Sequence, residues 1–150
     1  MYRGSFPHSI DEKGRVAIPV KWRDLLSGGG DDRLVLTRFV VDGERCLDVY
    51  PYGEWTRLED VVKQKPRFSR AVIKFENYYM SRTHDCIIDK QGRILVPPPL
   101  REYAGLDKDV VFAGALTKFR IFNAAVWDRV DRSAEQTMMD DPGFLEGLEL

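Results

Sequence analysis

The segment Asp11-Glu-Lys-Gly-Arg15 sets two long cations around a glycine, and Asp89-Lys-Gln-Gly-Arg93 repeats the arrangement further along the chain. Gly14 removes side-chain bulk, so the backbone and the cations beside it can come close to a phosphate or into a groove. An arginine such as Arg15 can hold guanine O6 and N7 with two bonds, while Lys13 neutralises phosphate as a point charge. The competing reading is structural: Arg15 opens a strand and pairs with Asp11 or Glu12. Residue types taken once favour that pairing, because charges near turns are mostly solvated. Recurrence shifts the weight. Folding accounts well for a repeated Gly or Pro, and less well for Arg15 returning as Arg93. Arg23 and Arg101 also recur, beside Asp24 and Glu102, and read as capping or as bridging the halves.

Other constellations carry less. His84 and Cys86 share one face of a strand, and His8 and Cys46 are the other soft ligands, but no spacing resembles a zinc site. His8 and His84 precede the two turns without a motif-placed nucleophile, and no phosphate-binding or dinucleotide loop is present. No enzyme, no cofactor and no small-molecule substrate is therefore expected. Pro97 matches Pro19, and Pro98 and Pro99 fit a helix start better than a polyproline ligand. Phe68, Phe75, Tyr78 and Tyr79 read as core at helical spacing, not as a base-stacking series.

The turns must be held by repeated elements. Asp11, Gly14, Arg15, Pro19 and Arg23 fall on Asp89, Gly92, Arg93, Pro97 and Arg101, with Val16 on Ile94 and Ile18 on Val96. Leu47-Asp-Val-Tyr50 then resembles Phe119-Arg-Ile-Phe122 at a shorter offset, and Trp55 falls on Trp127. The extra residues of the first copy are assigned to Gly28–Asp32 and Val41–Glu44. Each copy reads as a turn, a strand from Arg15 to Ile18, a short helix after Pro19, a strand pair turning at Asp42-Gly43 in the first copy, and a helix. Phe68, Val72, Phe75 and Tyr79 predict a linking helix. Residues 1–66 are read as the first repeat, 67–82 as the linking helix, 83–127 as the second repeat, and 128–150 as a C-terminal helix with an acidic tail expected to fray. Units of this size are marginal alone, so the two halves are expected to share one core.

Charge is uneven along the chain. The net charge is −1 over 150 residues, but residues 1–23 hold five Lys or Arg against two acids, and residues 128–150 hold seven acids against two Arg. Two cysteines are too few for a disulfide scaffold. No apolar run is long enough to span a bilayer and the N-terminus has no secretory h-region, which points to the cytoplasm.

With both D-x-x-G-R blocks in hand, the chain resembles the MraZ family: MYRGSFPHSIDEKGRVAIPVKWRDLL is similar to that family's opening, and DKQGRILVPPPLREYAGL to its second block. The resemblance implies an α+β, mainly β fold, with two tandem SpoVT-AbrB units of swapped-hairpin type packed as a pseudo-dimer barrel with flanking helices. It implies a ring-shaped homo-oligomer that binds double-stranded DNA at repeated promoter elements. The role implied is nucleoid-associated transcription regulation of the division and cell-wall gene cluster. Carried over residue by residue, the DNA-contacting positions are Lys13, Gly14 and Arg15, with Arg3 near the start and Arg93 in the second copy. Gln91 stands where Lys13 does, which makes the second turn the weaker candidate. The alternative is an antitoxin-like AbrB-fold interaction module that grips a partner with its acidic tail.

Overall fold

The computed structural model describes residues 1–150. Eight strands and five α-helices follow one another as β1 (Ser5–Ser9), β2 (Arg15–Ala17), α1 (Val20–Gly28), β3 (Arg33–Val41), β4 (Glu44–Pro51), α2 (Tyr52–Lys63), α3 (Arg70–Tyr78), β5 (His84–Ile87), β6 (Arg93–Leu95), α4 (Pro98–Ala104), β7 (Asp109–Ala115), β8 (Lys118–Asn123) and α5 (Ala124–Asp140). Six strands form one antiparallel sheet in the order β1-β7-β8-β4-β3-β5, and β2 pairs with β6 as a separate two-stranded ribbon.

The halves exchange strands. β1 of the first half lies on β7 of the second, β5 of the second lies on β3 of the first, and β4 meets β8 at the join. Period-two alternation divides the sheet residues between two faces. Leu34, Leu36, Leu47, Val49, Val110, Phe112, Phe119 and Ile121 point to one face, where Val16, Ile18 and Trp22 of the first repeat and Ile94, Val96 and Leu100 of the second complete a core of 19 buried residues. Neither half could bury this surface alone. The other face carries Val35 and Tyr50 under Trp55 and Tyr79, and Cys46, Ala113 and Phe122 under Val130 of α5. The ribbon with α1 and α4 therefore lies on one side of the sheet, and α2, α3 and α5 lie on the other.

The chain is α+β with a mostly antiparallel sheet, as the resemblance implies, but the sheet does not close into the expected barrel. β1 and β5 are its two edges. Helices and the ribbon cover both faces, so the apolar surface is buried without closure. The β3–β4 turn falls at Asp42-Gly43, with φ of 50° and 78°. Positive φ at both positions matches the right-handed twist of the arms. The extra residues of the first repeat sit elsewhere than in that turn. Leu36 opposite His84 corresponds to Phe112 opposite Phe6, and Val49 opposite Leu36 corresponds to Ile121 opposite Phe112. The offset thus closes by two residues before β3 and by four within the longer arms of the hairpin.

The linking helix begins later than its aromatic spacing suggests. Ser69 caps α3, its hydroxyl accepting from Val72 N, and its own N–H bonds to Pro66 O. Phe68 stays outside the helix and is 95% exposed, so it is not core. Tyr79 caps the other end and is buried, followed by a short 3₁₀ turn at Met80–Arg82. The acidic tail, expected to fray, carries a 3₁₀ turn at Pro142–Leu148.

Candidate nucleic-acid interface

Each basic turn is built around one aspartate. Asp11 Oδ1 accepts from Lys13 N at 3.0 Å and Arg15 N at 2.8 Å, and Asp11 Oδ2 accepts from Arg15 Nε at 2.7 Å. Asp89 repeats this with Gln91 N at 2.9 Å, Arg93 N at 2.9 Å and Arg93 Nε at 3.1 Å. Hydrogen bonds from the Arg15 and Arg93 backbone, together with the adjoining guanidinium groups, hold both carboxyls below the usual carboxylate range. The aspartate takes the Nε edge of each arginine and makes no bond to the terminal nitrogens. Arg15 makes no further bond inside the chain, whereas Arg93 also gives Nη2 to the Gln91 side chain. The pairing of Arg15 with Asp11 is thus present, and it fixes the fork without covering its outer end.

The ribbon sets the two turns at opposite ends. Arg15 lies across from Leu95, Val16 from Ile94 and Ala17 from Arg93. Val16 and Ile94 are buried, so Arg15, Ala17, Arg93 and Leu95 share the outward face. Val96 N donates to Gly14 O at 2.8 Å and Ile18 N to Gly92 O at 2.9 Å, extending the pairing to both glycines. From Gly14 to the residue facing Gly92 is four strand steps, about 13 Å.

Gly14 and Gly92 serve the fold more than an approach to DNA. Both have positive φ, +89° and +75°. A Cβ on Gly14 would lie 2.6 Å from Arg101 Nε, and one on Gly92 would lie 2.6 Å from Arg23 Nε. Each repeat therefore lays an arginine from its own helix across the glycine of the other repeat's turn. Arg101 Nη1 donates to Glu12 O at 3.1 Å, and Arg23 Nε donates to Ile18 O at 2.7 Å. Arg23 and Arg101 bridge the halves, one of the two roles read from their recurrence. Gly14's open side is filled by protein, which leaves Lys13 and Arg15 as the groups of that turn that face outward.

The second turn is not the poorer one in charge. Lys90 stands at the place of Glu12, one residue before Gln91, so Asp89–Arg93 holds two cations and one acid while Asp11–Arg15 holds two of each. Lys13 and Lys90 are exposed and have no ion-pair partner. Lys90 was legible in the aligned repeats but is hidden when only the D-x-K-G-R spacing is matched. Arg3 is not brought to the turns: all of β1 separates it from Asp11, and its carbonyl accepts from Trp22 Nε1 at 3.3 Å.

A second polar cluster lies on the other face of the sheet. Asp48 is fully buried and accepts from Lys118 Nζ at 2.9 Å, Arg120 Nε at 2.9 Å and the Tyr79 hydroxyl. It ties β4, β8 and the linker together, away from the ribbon. Alternation between Leu47 and Val49 places Asp48 on that face, but nothing in the sequence names its partners. No cluster of His, Cys, Asp and Glu suited to a metal occurs, and no helix is long and apolar enough to cross a membrane.

Sequence comparison finds relatives over nearly the whole chain. The family described as "MraZ protein, putative antitoxin-like" matches residues 1–74 and 79–142. A protein of Thioalkalivibrio sulfidiphilus named Transcriptional regulator MraZ is 42% identical over 85% of this chain and 83% of its own length. One of the same name from Syntrophobacter fumaroxidans is 40% identical over 99% of this chain and 97% of its own. A third, from Caldanaerobacter subterraneus, is 37% identical over the full length of both. A solution structure of PHS018 from Pyrococcus horikoshii superposes with a TM-score of only 0.37 at 12% identity, covering 81% of this chain and 88% of that one, and carries no fold argument. The duplicated turn, the shared core and these full-length relatives together establish that the chain belongs to the MraZ family.

Proposed function

We propose that this protein is a sequence-specific DNA-binding transcription regulator that lays the outward face of its β2–β6 ribbon, with both flanking turns, against duplex DNA. The observation that carries this reading is the pair of aspartate-held arginine forks, Arg15 and Arg93, on one two-stranded ribbon with an exposed lysine at each end. A two-stranded ribbon fits a major groove about 12 Å wide, close to the span between the two turns. Each fork has its Nε edge fixed in advance, which lowers the ordering cost of a two-bond contact to guanine. Lys13 and Lys90 serve the phosphates on either side, and Arg3, exposed beyond β1, serves a flanking one. The relatives' names support a transcription regulator and not an enzyme. Regulation of the division and cell-wall gene cluster, and a nucleoid location, belong to the same reading.

One ribbon with its two turns offers few cations, so several copies acting together supply the affinity. We extend the reading to a ring that contacts repeated promoter elements, where joint engagement multiplies binding without new contacts. Two surfaces of opposite character support a head-to-tail contact between copies. Val61, Phe68 and Ile73 are exposed on the α2–α3 hairpin beside the exposed, unpaired Lys65, Arg70 and Lys74. Residues 138–150 expose Met139, Phe144, Leu148 and Leu150 among Asp140, Asp141, Glu146 and Glu149, with no Lys or Arg. α5, which leads into this tail, packs on the sheet face opposite the ribbon, so an interface there leaves the turns free.

A band-shift assay on the DNA upstream of the protein's own gene tests the reading, with oligomer size followed by light scattering. Arg15→Ala abolishes the shift and keeps the oligomer, because an exposed Asp11–Arg15 pair contributes little to folding. An unchanged shift refutes the assignment of Arg15. Lys13→Ala and Lys90→Ala each flatten the salt dependence by roughly one unit. A monodisperse particle of 17.3 kDa would remove the ring.

A further inference from the structure

The pseudo-symmetry fails at one place, and the failure changes the chemistry there. In the first repeat the segment leading to the turn carries Gly4, just before β1, and Phe6 within it. Phe6 packs edge-on against Trp22 at 5.3 Å between ring centres, and Gly114 is pressed against the Tyr2 carbonyl. That corner is filled. The register sets His84 against Leu36 as Phe6 is set against Phe112; counted two residues beyond it, Arg82 and Arg38 correspond to Gly4 and Gly114, and the repeat offset pairs Leu100 with Trp22. Two aromatic rings are replaced by a smaller pair, and two glycines by arginines. What remains is a hollow of about 290 Å³ whose lining includes Arg38, Arg82, His84, Leu100 and Tyr103, and no carboxylate.

The cations are set for a ligand. Arg38 Nε donates to Tyr78 O at 2.7 Å, and its guanidinium carbon lies 4.3 Å from the Tyr78 ring centre and 5.7 Å from that of Tyr103. The two tyrosines are joined by a 2.6 Å hydrogen bond between hydroxyls. Arg38 is therefore held at its Nε edge and lies against two aromatic rings, and its terminal nitrogens have no partner within the chain. Arg82 is exposed and forms no ion pair, and His84 is half-buried on the edge strand β5. A fixed guanidinium, Arg38, beside a second free one, Arg82, with no acid in the lining, suits a tetrahedral oxyanion. The volume lies near the lower end of small-molecule clefts, about 300–1,000 Å³.

We propose that this corner, between β3, β5 and α4, is a binding site for a small soluble phosphate-bearing anion, present in the second repeat only. Arg38 and Arg82 hold the phosphate, His84 adds a third donor, and Leu100 with the Tyr103 ring receives the apolar remainder. This does not depend on the DNA-binding reading.

Calorimetric titration of the full chain with inorganic phosphate, against chloride at equal ionic strength, tests it. One site per chain with Kd of about 1 mM or tighter is expected. Arg82→Gln, at an exposed position, weakens binding at least about tenfold. The pair His84→Phe with Leu100→Trp restores the filling of the first repeat and removes binding. Phosphate that binds no better than chloride, or that binds Arg82→Gln as well as wild type, overturns the proposal. A band shift with Arg82→Gln distinguishes the source of the phosphate. Unchanged DNA affinity supports a soluble ligand, whereas a loss of DNA affinity with a salt slope flatter by about one assigns the site to the duplex backbone and overturns it.

Discussion

Substituting Gly14 by alanine tests the crossed-arginine architecture directly, because two separable costs meet there. The first is conformational: at φ +89° an L side chain meets its own backbone, costing about 1–2 kcal/mol. The second is packing. The new methyl would lie 2.6 Å from Arg101 Nε and 2.8 Å from Val96 O. Arg101 can swing away only by leaving Glu12 O, and Val96 O is backbone fixed at the end of the ribbon. Overpacking of this kind costs about 1–3 kcal/mol. Gly43 supplies the control: it has φ +78° with nothing within 4 Å of its Cβ, so Gly43→Ala carries the first cost alone. For a chain of this length about 2–4 °C of melting temperature accompanies each kcal/mol. Gly14→Ala should therefore melt about 4–20 °C below wild type, and Gly43→Ala about 2–8 °C below. Urea or thermal melts at one protein concentration read the difference, since assembly stabilises the fold by mass action. In an Arg101→Ala background the Gly14→Ala penalty should shrink by about 1 kcal/mol or more, as expected for residues in contact. Equal penalties at Gly14 and Gly43, or no coupling to Arg101, would refute the claim that each half is latched by the other's arginine.

Removing the Asp48 carboxylate leaves Lys118 and Arg120 facing one another without their shared acceptor, so Asp48→Ala should lose about 3–5 kcal/mol in a urea melt, and a loss below 1 kcal/mol would show the cluster to be dispensable. Burial pushes both the Cys46 and Cys86 thiols up to about 12, so dithionitrobenzoate at pH 8 should label neither in the folded protein and both in denaturant; fast native labelling of Cys46 would contradict the packing under α5. Burial, with the Arg23 charge adding, holds His8 below its ordinary value. The unfolded chain then binds the proton first, so this contribution is full above about pH 6.5 and is lost as pH falls through the folded value. His8→Gln should flatten the melting profile between about pH 7 and 5, and an unchanged profile would place His8 in water.

Much of this was readable from the residues because the duplication supplied an internal alignment. Pro19, Gly14 and the Val16–Ile18 alternation marked turn, strand and helix in both copies, and Asp42-Gly43 marked the hairpin. The Asp11–Arg15 pairing and the bridging role of Arg23 were likewise legible, from charge spacing and recurrence. Strand order was not, because antiparallel neighbours from opposite halves look the same in sequence as neighbours within one half. Phe68 misled for a local reason: its spacing suits a helix, but Pro66 and Ser69 set the start after it. Lys90 was hidden by matching a motif position by position instead of counting the charge of the whole turn. The cationic hollow beside Arg38 needed the register, since Arg38 and Arg82 lie far apart in sequence and meet only where β5 is laid along β3.

Strand exchange also bears on how this protein can change over time. A symmetric pair of separate short chains with the same interleaving would exist only above its dissociation constant, and any substitution would appear in both partners at once. Joined through the segment around α3, the two partners meet at an effective concentration in the millimolar range or above, so dilution in the cell does not part them. The join also frees each copy to vary independently. Lys13 can give way to Gln91 while Lys90 replaces Glu12, and one corner can stay packed with Phe6 and Trp22 while its counterpart opens around Arg38 and Arg82.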